Sequence, residues 1–554
     1  MQRKHLWAAA AFAVVAVCFF GTAGASANAL SCDTQVNDTP GKLLPCITKS
    51  DLQSYMGDLW DIAVANPGPD GHPSRNSGED GYWESAQYVK NKMEGWGYTV
   101  SLQQYDFPYT AFRSLPTFSV DSPAMSLTFN EDWTAAPSNG SISGAIQPVG
   151  GIVLPPTSAP SSTSGCTAAD FAGFTAGKVA LIQRGGCNFG VKVLNAQDAG
   201  AIGVVIFNEG NPGRTGLQGI NLVDANGVTF AGDIPVISVT FAVGQALYDD
   251  YQGGTPPTVS MSVSAIAETR PDWNVIADSK GGDKNHTVVI DAHLDAIYGA
   301  GMLDNGSGSM SILDIAYLMR NAKTTNHLRF IWFGGEELGL LGSDFYVHNL
   351  SSTDASHIGY DLDADVTATP NYTLGVLDPS ARDLFDPNTT TAGTFPNRVY
   401  KASLVGRDAG IAYLNSQDEP NELFSPEGTD AYEFNLIGVP ASGVLTGQDC
   451  CKTQDEVDLF SHNFIGTVNQ VGNFEGNLTP PDNFDGGCVD NSFRWCDNLD
   501  NNNFDVMTLM TRTFANMVLT MAYDTKVMSA SGSAVINKKT ALSQETGSRH
   551  IKSS

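Results

Sequence analysis

The sequence is poor in charge, and poorest in positive charge. Charged residues fill 16% of its 554 positions, with 30 Lys and Arg against 59 Asp and Glu and a formal net charge of −29. So few cations exclude a nucleic-acid partner, because phosphate binding needs clustered Lys and Arg. Low charge combined with 42% hydrophobic residues excludes an intrinsically disordered chain, whose composition runs the other way. Past the amino terminus no run reaches the roughly 18 apolar residues of a membrane helix, so no span is expected. No internal repeat is visible, which excludes a repeat architecture. Histidine is scarce, with nine in the whole chain.

What is present begins with an address. Arg3, Lys4 and His5 precede an apolar run from Leu6 to Phe20, and small residues follow, with Ala25-Ser26-Ala27 or Ala27-Asn28-Ala29 as the cleavage site. This is the pattern of a secretory signal peptide over residues 1–29. Its removal takes Cys18 and leaves eight of nine cysteines, an even number suited to an oxidising compartment. Cys32–Cys46, Cys166–Cys187 and Cys488–Cys496 are the local pairs; Cys450 and Cys451 remain, and sequence does not decide whether they pair.

The length allows about two to four domains at roughly 100–200 residues each. Ala86, Val89, Met93 and Trp96 recur at helical spacing and Gly97 marks the helix end; Thr99 to Phe107 then reads as a strand. From about residue 115 the texture turns to Ser, Thr, Pro and Gly with short apolar runs, at Val179–Ile182, Val204–Phe207 and Ile234–Val239. A helix is expected over Val191–Ala199. After Arg270-Pro271 short β-rich runs (Asn274–Ala277, Thr287–Ala292, Leu328–Phe333) alternate with a helix showing Ile312, Ile315, Ala316 and Met319 on one face. Alternation of this kind predicts an α/β domain with a central mixed β-sheet covered by helices. Residues 531–554 lack an apolar pattern and read as a tail.

Four polar groups stand beside the apolar runs of this second region: Asp291-Ala-His293-Leu-Asp295, Asp304-Asn-Gly-Ser-Gly308, Glu336-Glu337 and Asp363-Ala-Asp365. Each alone has an ordinary structural reading: packing, a helix N-cap at Asp304, a solvated glutamate pair, loop carboxylates. Together, at strand ends of an α/β sheet, they point to one centre. One histidine among several carboxylates suits a hard or borderline divalent metal, zinc first. His293 and Asp295, two apart, share one face of a strand, so the carboxylate can orient an imidazole that ligates through its other nitrogen. Of two adjacent glutamates, one can bind metal while the other takes a proton.

These residues resemble a known family. Gly177-Lys-Val-Ala-Leu-Ile-Gln-Arg-Gly-Gly-Cys187-Asn-Phe, Asn195 to Asn208 and Ile234-Pro-Val-Ile are similar to the protease-associated (PA) domain. His293-Leu-Asp295, Asp304-Asn-Gly-Ser-Gly308, Glu336 to Ser343, Leu362-Asp-Ala-Asp365 with Pro370-Asn371, and Ile437 to Gly447 resemble the zinc-dependent aminopeptidases, which carry such an insertion. The resemblance implies a zinc-exopeptidase-like fold with a small β-rich PA domain. Its divisions would be 30–114 and 269–530 for the peptidase domain and 115–268 for the PA insertion, with a PA core at about 145–262. It also implies roles: His293 and Asp365 on one zinc, Asp304 bridging two zincs, Glu337 on the second, Glu336 as general base and then acid, and Asp295 orienting His293. Peptides would be substrates, and the PA domain would cover the cleft or bind a partner protein.

One ligand departs from the pattern. The family places a histidine between two cysteines; here the stretch is Cys488-Val-Asp490-Asn-Ser-Phe493-Arg-Trp-Cys496-Asp497. Asp490 is the candidate fifth ligand, with His462 as the alternative and Phe493 incapable of the role. Two functions stay open: a secreted or vacuolar zinc-dependent aminopeptidase, and a catalytically impaired binding protein on the same scaffold. A carboxypeptidase is a third. Asn305-Gly-Ser307 has the form of a glycosylation sequon inside the expected site, so it is expected to be bare.

Overall fold

The structure is a computed structural model that describes residues 32–297, 299–382, 390–447, 452–461 and 497–529. The signal peptide, the tail, Asp490, His462, Cys450, Cys451, Cys488 and Cys496 lie outside the described residues.

Buried parallel strands build the centre of the fold. Asp283–His293 lies parallel to Asn326–Phe333 on one side and to Ile358–Asp365 on the other. Ile358–Asp365 is buried at every position, as expected of a parallel strand covered on both faces. The sheet runs in the order Glu422–Phe424, Gly375–Leu377, Ala441–Leu445, Ile358–Asp365, Asp283–His293, Asn326–Phe333, Thr258–Asp278, Thr99–Phe112. Its last strands are antiparallel, so the sheet is mixed.

Strand alternation sorts side chains into two layers. Val288, Ile290, Phe330, Trp332 and Leu362 enter the main core with the helices Lys49–Ala65, Asp80–Trp96, Gly308–Met319 and Phe504–Tyr523. Val289, Ile331 and Phe333 face the other way, against Tyr346, Val347 and Phe434 of the helices Leu341–Asn349 and Ala431–Leu436. The residues between these apolar positions on the second face are polar, and they form the site described below.

Helix Asp80–Trp96 buries Ala86, Val89 and Met93 and ends on Gly97 at φ 91°, a left-handed cap that glycine adopts without a Cβ penalty. Helix Gly308–Met319 differs from the one-faced expectation. Ser309, Met310, Ser311, Leu313 and Asp314 are buried as well, because Lys49–Ala65 and Phe504–Tyr523 pack against it while it lies on the sheet.

The inserted region builds its own layers. Asn139–Pro148, Val179–Gln183, Gly203–Phe207 and Val236–Val239 run parallel in sequence, with helices Phe189–Asp198 and Phe241–Gln252 beside them. Two apolar clusters separate from the main core fill this part, and the Cys166–Cys187 disulfide forms within it. Cys32–Cys46 closes the amino-terminal segment. Strand Thr258–Asp278 serves both parts: Thr258–Ser264 pairs with Asn139–Ala145, and Ala265–Asp278 with Thr99–Phe112. A division at residue 268 therefore falls inside one continuous strand. No helix among the described residues is long and apolar enough to cross a membrane.

Candidate active site

Four chain segments meet where the parallel strands end. His293 closes Asp283–His293 and Asp365 closes Ile358–Asp365. Asp304 lies in an irregular turn, Met302–Ser307, ahead of helix Gly308–Met319. Glu336 and Glu337 follow Asn326–Phe333. His293 Nε2 stands 3.0 Å from Asp304 Oδ1, 3.3 Å from Asp365 Oδ1 and 3.8 Å from Glu336 Oε2. His293 Nδ1 is 3.4 Å from Asp295 Oδ1, and the same oxygen accepts from the Glu336 backbone N–H at 3.2 Å. His293, Asp295, Asp304, Glu336 and Asp365 are all buried, while Glu337 beside them is half-buried.

The Asp304-Asn-Gly-Ser-Gly308 text has a physical reason at each position. The N-cap position of helix Gly308–Met319 is Ser307, not Asp304. Asn305 Oδ1 accepts from Gly308 N–H at 2.8 Å and from Val366 N–H at 3.0 Å, and its Nδ2 donates to Ala364 O at 2.9 Å. It thereby staples the Asp304 turn to the Asp365 strand end. Ser307 Oγ accepts from Thr367 N–H at 2.8 Å, and Ser309 Oγ donates to His293 O at 2.5 Å. A Cβ on Gly308 would collide with Ala364 O and Asn305 Oδ1, so only glycine permits the close approach. Asn305 is fully buried, so the sequon it begins is closed to a glycan.

Two residues that sequence reasoning passed over support this arrangement. Arg75 is fully buried. Its guanidinium donates to Ala300 O at 2.6 Å, Leu294 O at 2.5 Å and Gly301 O, so it holds the loop between His293 and Asp304. Burial pushes it down to about 10, against the pull of Asp497, Asp295 and Asp304. Asp497, seen in the sequence only as part of a cysteine motif, takes three consecutive amides: Leu303 N–H at 2.6 Å and Asp304 N–H at 2.9 Å on its carboxylate, Met302 N–H at 3.3 Å on its carbonyl. Neither had a sequence signal, because their partners are backbone groups.

Electrostatics sets the protonation of the centre. Burial pushes the His293 imidazole down, but Glu336, Asp295, Asp304 and Asp365 outweigh it and raise it well above its ordinary value. Glu336 is raised well above the usual carboxylate range, first by burial and then by Asp365, Asp430 and Glu337, with His293 opposing. Beneath lies a second set of carboxylates. Asp291 and Asp363 are directly paired across the strands, and Asp361 and Asp430 are also buried. A period-of-two reading of the strand would have placed Asp291 on the His293 face.

Neither ring nitrogen of His293 makes a hydrogen bond of good geometry, although carboxylate oxygens surround it. One buried imidazole with carboxylates converging on it is a donor set for a divalent ion. His293, Asp304 and Asp365 each offer a ligand atom, all within 4.8 Å of one another. Glu337 does not join that group, and Asp490 and His462 lie outside the described residues.

The profile of peptidase family M28 matches residues 274–474, and that of the PA domain residues 149–247. An aminopeptidase of Pseudomonas aeruginosa is 34% identical over 430 residues, covering 76% of this chain and 75% of that protein. The chain belongs to peptidase family M28. Leucine aminopeptidase 2 of Trichophyton equinum is 30% identical across 75% of this chain and 78% of its own length. The fold is shared with the aminopeptidase from Aneurinibacillus sp. strain AM-1, at a TM-score of 0.52 and 21% identity, over 90% of this chain and 98% of that one. This M28 chain thus combines the expected mixed sheet with a PA insertion.

Proposed function

We propose that this M28 enzyme is a zinc-dependent aminopeptidase that removes amino-terminal residues from peptides. One observation carries the reading: His293 Nε2 lies within 3.0–3.8 Å of carboxylates on Asp304, Asp365 and Glu336 in a chain whose similar relatives are named aminopeptidases. His293 and Asp365 would hold one zinc, Asp304 would bridge to a second, and Glu337 with Asp490 or His462 would complete the set. When bound, such ions polarise the scissile carbonyl and lower the pKa of a water.

The chain's own residues do the remaining work. Glu336 is the proton carrier: its buried carboxylate has a raised affinity for a proton, so it takes one from the attacking water and returns it to the leaving amine. Asp295 stands 3.4 Å from the imidazole Nδ1 and accepts from the Glu336 backbone N–H, so it would orient the ring and leave Nε2 for the ion. Asn305 and Asp497 keep Asp304 and Asp365 in register. The signal sequence and the two disulfides support secretion or vacuolar delivery. The PA insertion, proposed at 115–268, would cover the cleft or bind a protein partner.

The test is zinc content by elemental mass spectrometry beside turnover of an aminoacyl anilide, in the mature chain and in Glu336→Gln. Two zincs in both, with turnover about 10²–10⁴-fold lower in the variant, is expected. Zinc without turnover in the unmodified chain would leave a binding protein on a peptidase scaffold. No zinc after incubation with the metal would sink the reading.

A further inference from the structure

Glu336 reaches His293 from a tight bend in the backbone. Gly335, just before it, stands at φ 62°, in the left-handed region where glycine carries no Cβ penalty. A Cβ there would also crowd the Tyr105 hydroxyl and Leu341. Three consecutive amides of the bend are held by side chains from three separate segments. Gly334 N–H donates to Asn274 Oδ1 at 3.2 Å, Gly335 N–H to Ser77 Oγ at 2.8 Å, and Glu336 N–H to Asp295 Oδ1 at 3.2 Å. Asn274, Ser77 and Asp295 are all buried, so a donor that loses its acceptor here stays unsatisfied.

The Ser77 contact is the shortest of the three, and its hydroxyl is itself aimed. Having accepted from Gly335, it keeps one proton to donate, and this goes to the Asp272 carboxyl. Asp272 is fully buried, and its Oδ2 accepts from the Tyr105 hydroxyl at 3.3 Å. Ser77 also belongs to a piece of chain that grips the other side of the centre. Arg75 N–H donates to Gly299 O at 2.8 Å, and Asn76 Oδ1 accepts from Gly299 N–H at 3.0 Å. Gly299 lies in the loop between His293 and Asp304 that the Arg75 guanidinium holds. Arg75, Asn76 and Ser77, consecutive in sequence, therefore set that loop and the Glu336 bend at a fixed offset, with Glu336 Oε2 at 3.8 Å from His293 Nε2.

We propose that Ser77 is a positioning residue for Glu336: its hydroxyl, aimed by Asp272, holds the Gly335 amide and so sets where the Glu336 carboxylate meets the centre. The proposal rests on the reading of Glu336 as proton carrier. Ser77 acts through the geometry of the bend, so its loss is felt in kcat.

The experiment compares Ser77→Ala with Ser85→Ala in the full mature chain, and repeats Ser77→Ala on a Glu336→Gln background. Ser85 is the control because its hydroxyl is also buried and also bonds backbone, donating to Gly81 O at 2.7 Å within helix Asp80–Trp96. Turnover of an aminoacyl anilide gives kcat and KM, elemental mass spectrometry gives zinc per chain, and amide hydrogen exchange reports on Phe333–Leu338. In Ser77→Ala, kcat should fall about 10–100-fold, the scale of loss for a group misplaced by about 1 Å. KM should stay within about twofold, zinc per chain should not change, and exchange across the bend should rise. Ser85→Ala should alter none of these. On the Glu336→Gln background, Ser77→Ala should cost less than about twofold more, because a residue acting through Glu336 has nothing further to remove. Equal kcat in the two serine variants, or unchanged exchange across the bend, overturns the proposal, and the exchange result decides even in a chain without turnover. A full additional loss on the Glu336→Gln background also overturns it. Unaltered turnover in Glu336→Gln alone sinks the proton-carrier reading and the proposal with it, whereas a loss there without one in Ser77→Ala strikes the proposal only.

Discussion

Replacing Asp497 tests whether the backbone around Asp304 is held by a carboxylate from a distant part of the chain. In Asp497→Ala, the amides of Leu303 and Asp304 lose acceptors at 2.6 and 2.9 Å. Both residues are buried, so water does not replace the lost bonds. Each orphaned donor costs about 1–3 kcal/mol, giving roughly 2–6 kcal/mol. Asp497 itself sits uncomfortably: burial raises its carboxyl to about 7 despite those two amides. Relief of that burial offsets part of the loss and places the expected net near the lower end. Asp497→Asn keeps one acceptor oxygen and should lose about half as much. Because supporting groups of this kind set ligand geometry, zinc affinity should fall about 10–100-fold in Asp497→Ala. Urea unfolding gives the stability change, and competition with a chelator of known affinity gives the metal change. A chain with unchanged zinc affinity and unchanged urea midpoint would show that Asp497 does not position Asp304.

Four further outcomes follow from the same contacts. Arg75→Met leaves the buried carbonyls of Leu294 and Ala300 without this donor, while Gly301 O keeps the Gly306 N–H at 2.9 Å, and should cost about 2–6 kcal/mol, read as a lowered urea midpoint; an unchanged midpoint refutes the cage. Asp295→Asn should lower zinc affinity or turnover about 10–100-fold while leaving secondary structure intact by circular dichroism; unchanged values would mean that His293 is oriented by something else. Asp272 is raised to about 8 by burial and then by Asp295, so the native state keeps a proton that the unfolded chain has released. Its contribution is full below about pH 4 and is lost as pH rises to about 8. Asp272→Asn should therefore gain on the unmodified chain between pH 5 and 8, by up to about 1.4 kcal/mol per unit, and a constant difference would refute the assignment. Removal of metal by a chelator should abolish turnover and return of zinc restore it, with continued turnover in the stripped chain as the contrary result.

Much of this was legible because it is written in side chains with short-range rules. The helix Asp80–Trp96 shows its face at Ala86, Val89 and Met93 and its stop at Gly97. The sheet shows itself in apolar runs such as Phe330–Phe333, and the disulfides Cys32–Cys46 and Cys166–Cys187 join near neighbours in sequence. Three of the expected metal residues, His293, Asp304 and Asp365, converge because each ends or follows a strand. Arg75 was illegible because its partners, Leu294, Ala300 and Gly301, contribute carbonyl oxygens, and a carbonyl has no residue signature. The burial of helix Gly308–Met319 all round was hidden for a different reason. Ser309, Ser311 and Asp314 look like a solvent face, yet Ser309 and Ser311 spend their hydroxyls on His293 O and Ser307 O. A polar residue with an internal partner is indistinguishable in sequence from one that faces water.

Two tiers of carboxylates share one face of the sheet, and their division explains how an acid-rich interior remains folded. Along the strands, Asp291 lies two residues before His293, and Asp361 and Asp363 precede Asp365, so all point to the same side. Both oxygens of Asp291 and of Asp361 lack hydrogen-bond partners. Burial first, and then their mutual repulsion with Asp363 and Asp430, raises both well above the usual range. Burial and mutual repulsion thus favour the protonated form of Asp291 and Asp361 in this lower tier. The upper tier differs because it has His293 at its centre and a loop held by the Arg75 guanidinium beneath it. Negative charge is tolerable only there, where a cation can enter among Asp304, Asp365 and the imidazole. The sheet thus places the imidazole and its converging carboxylates in the layer where the strands end, and the lower carboxylates, which burial disfavours as anions, compete less for a cation.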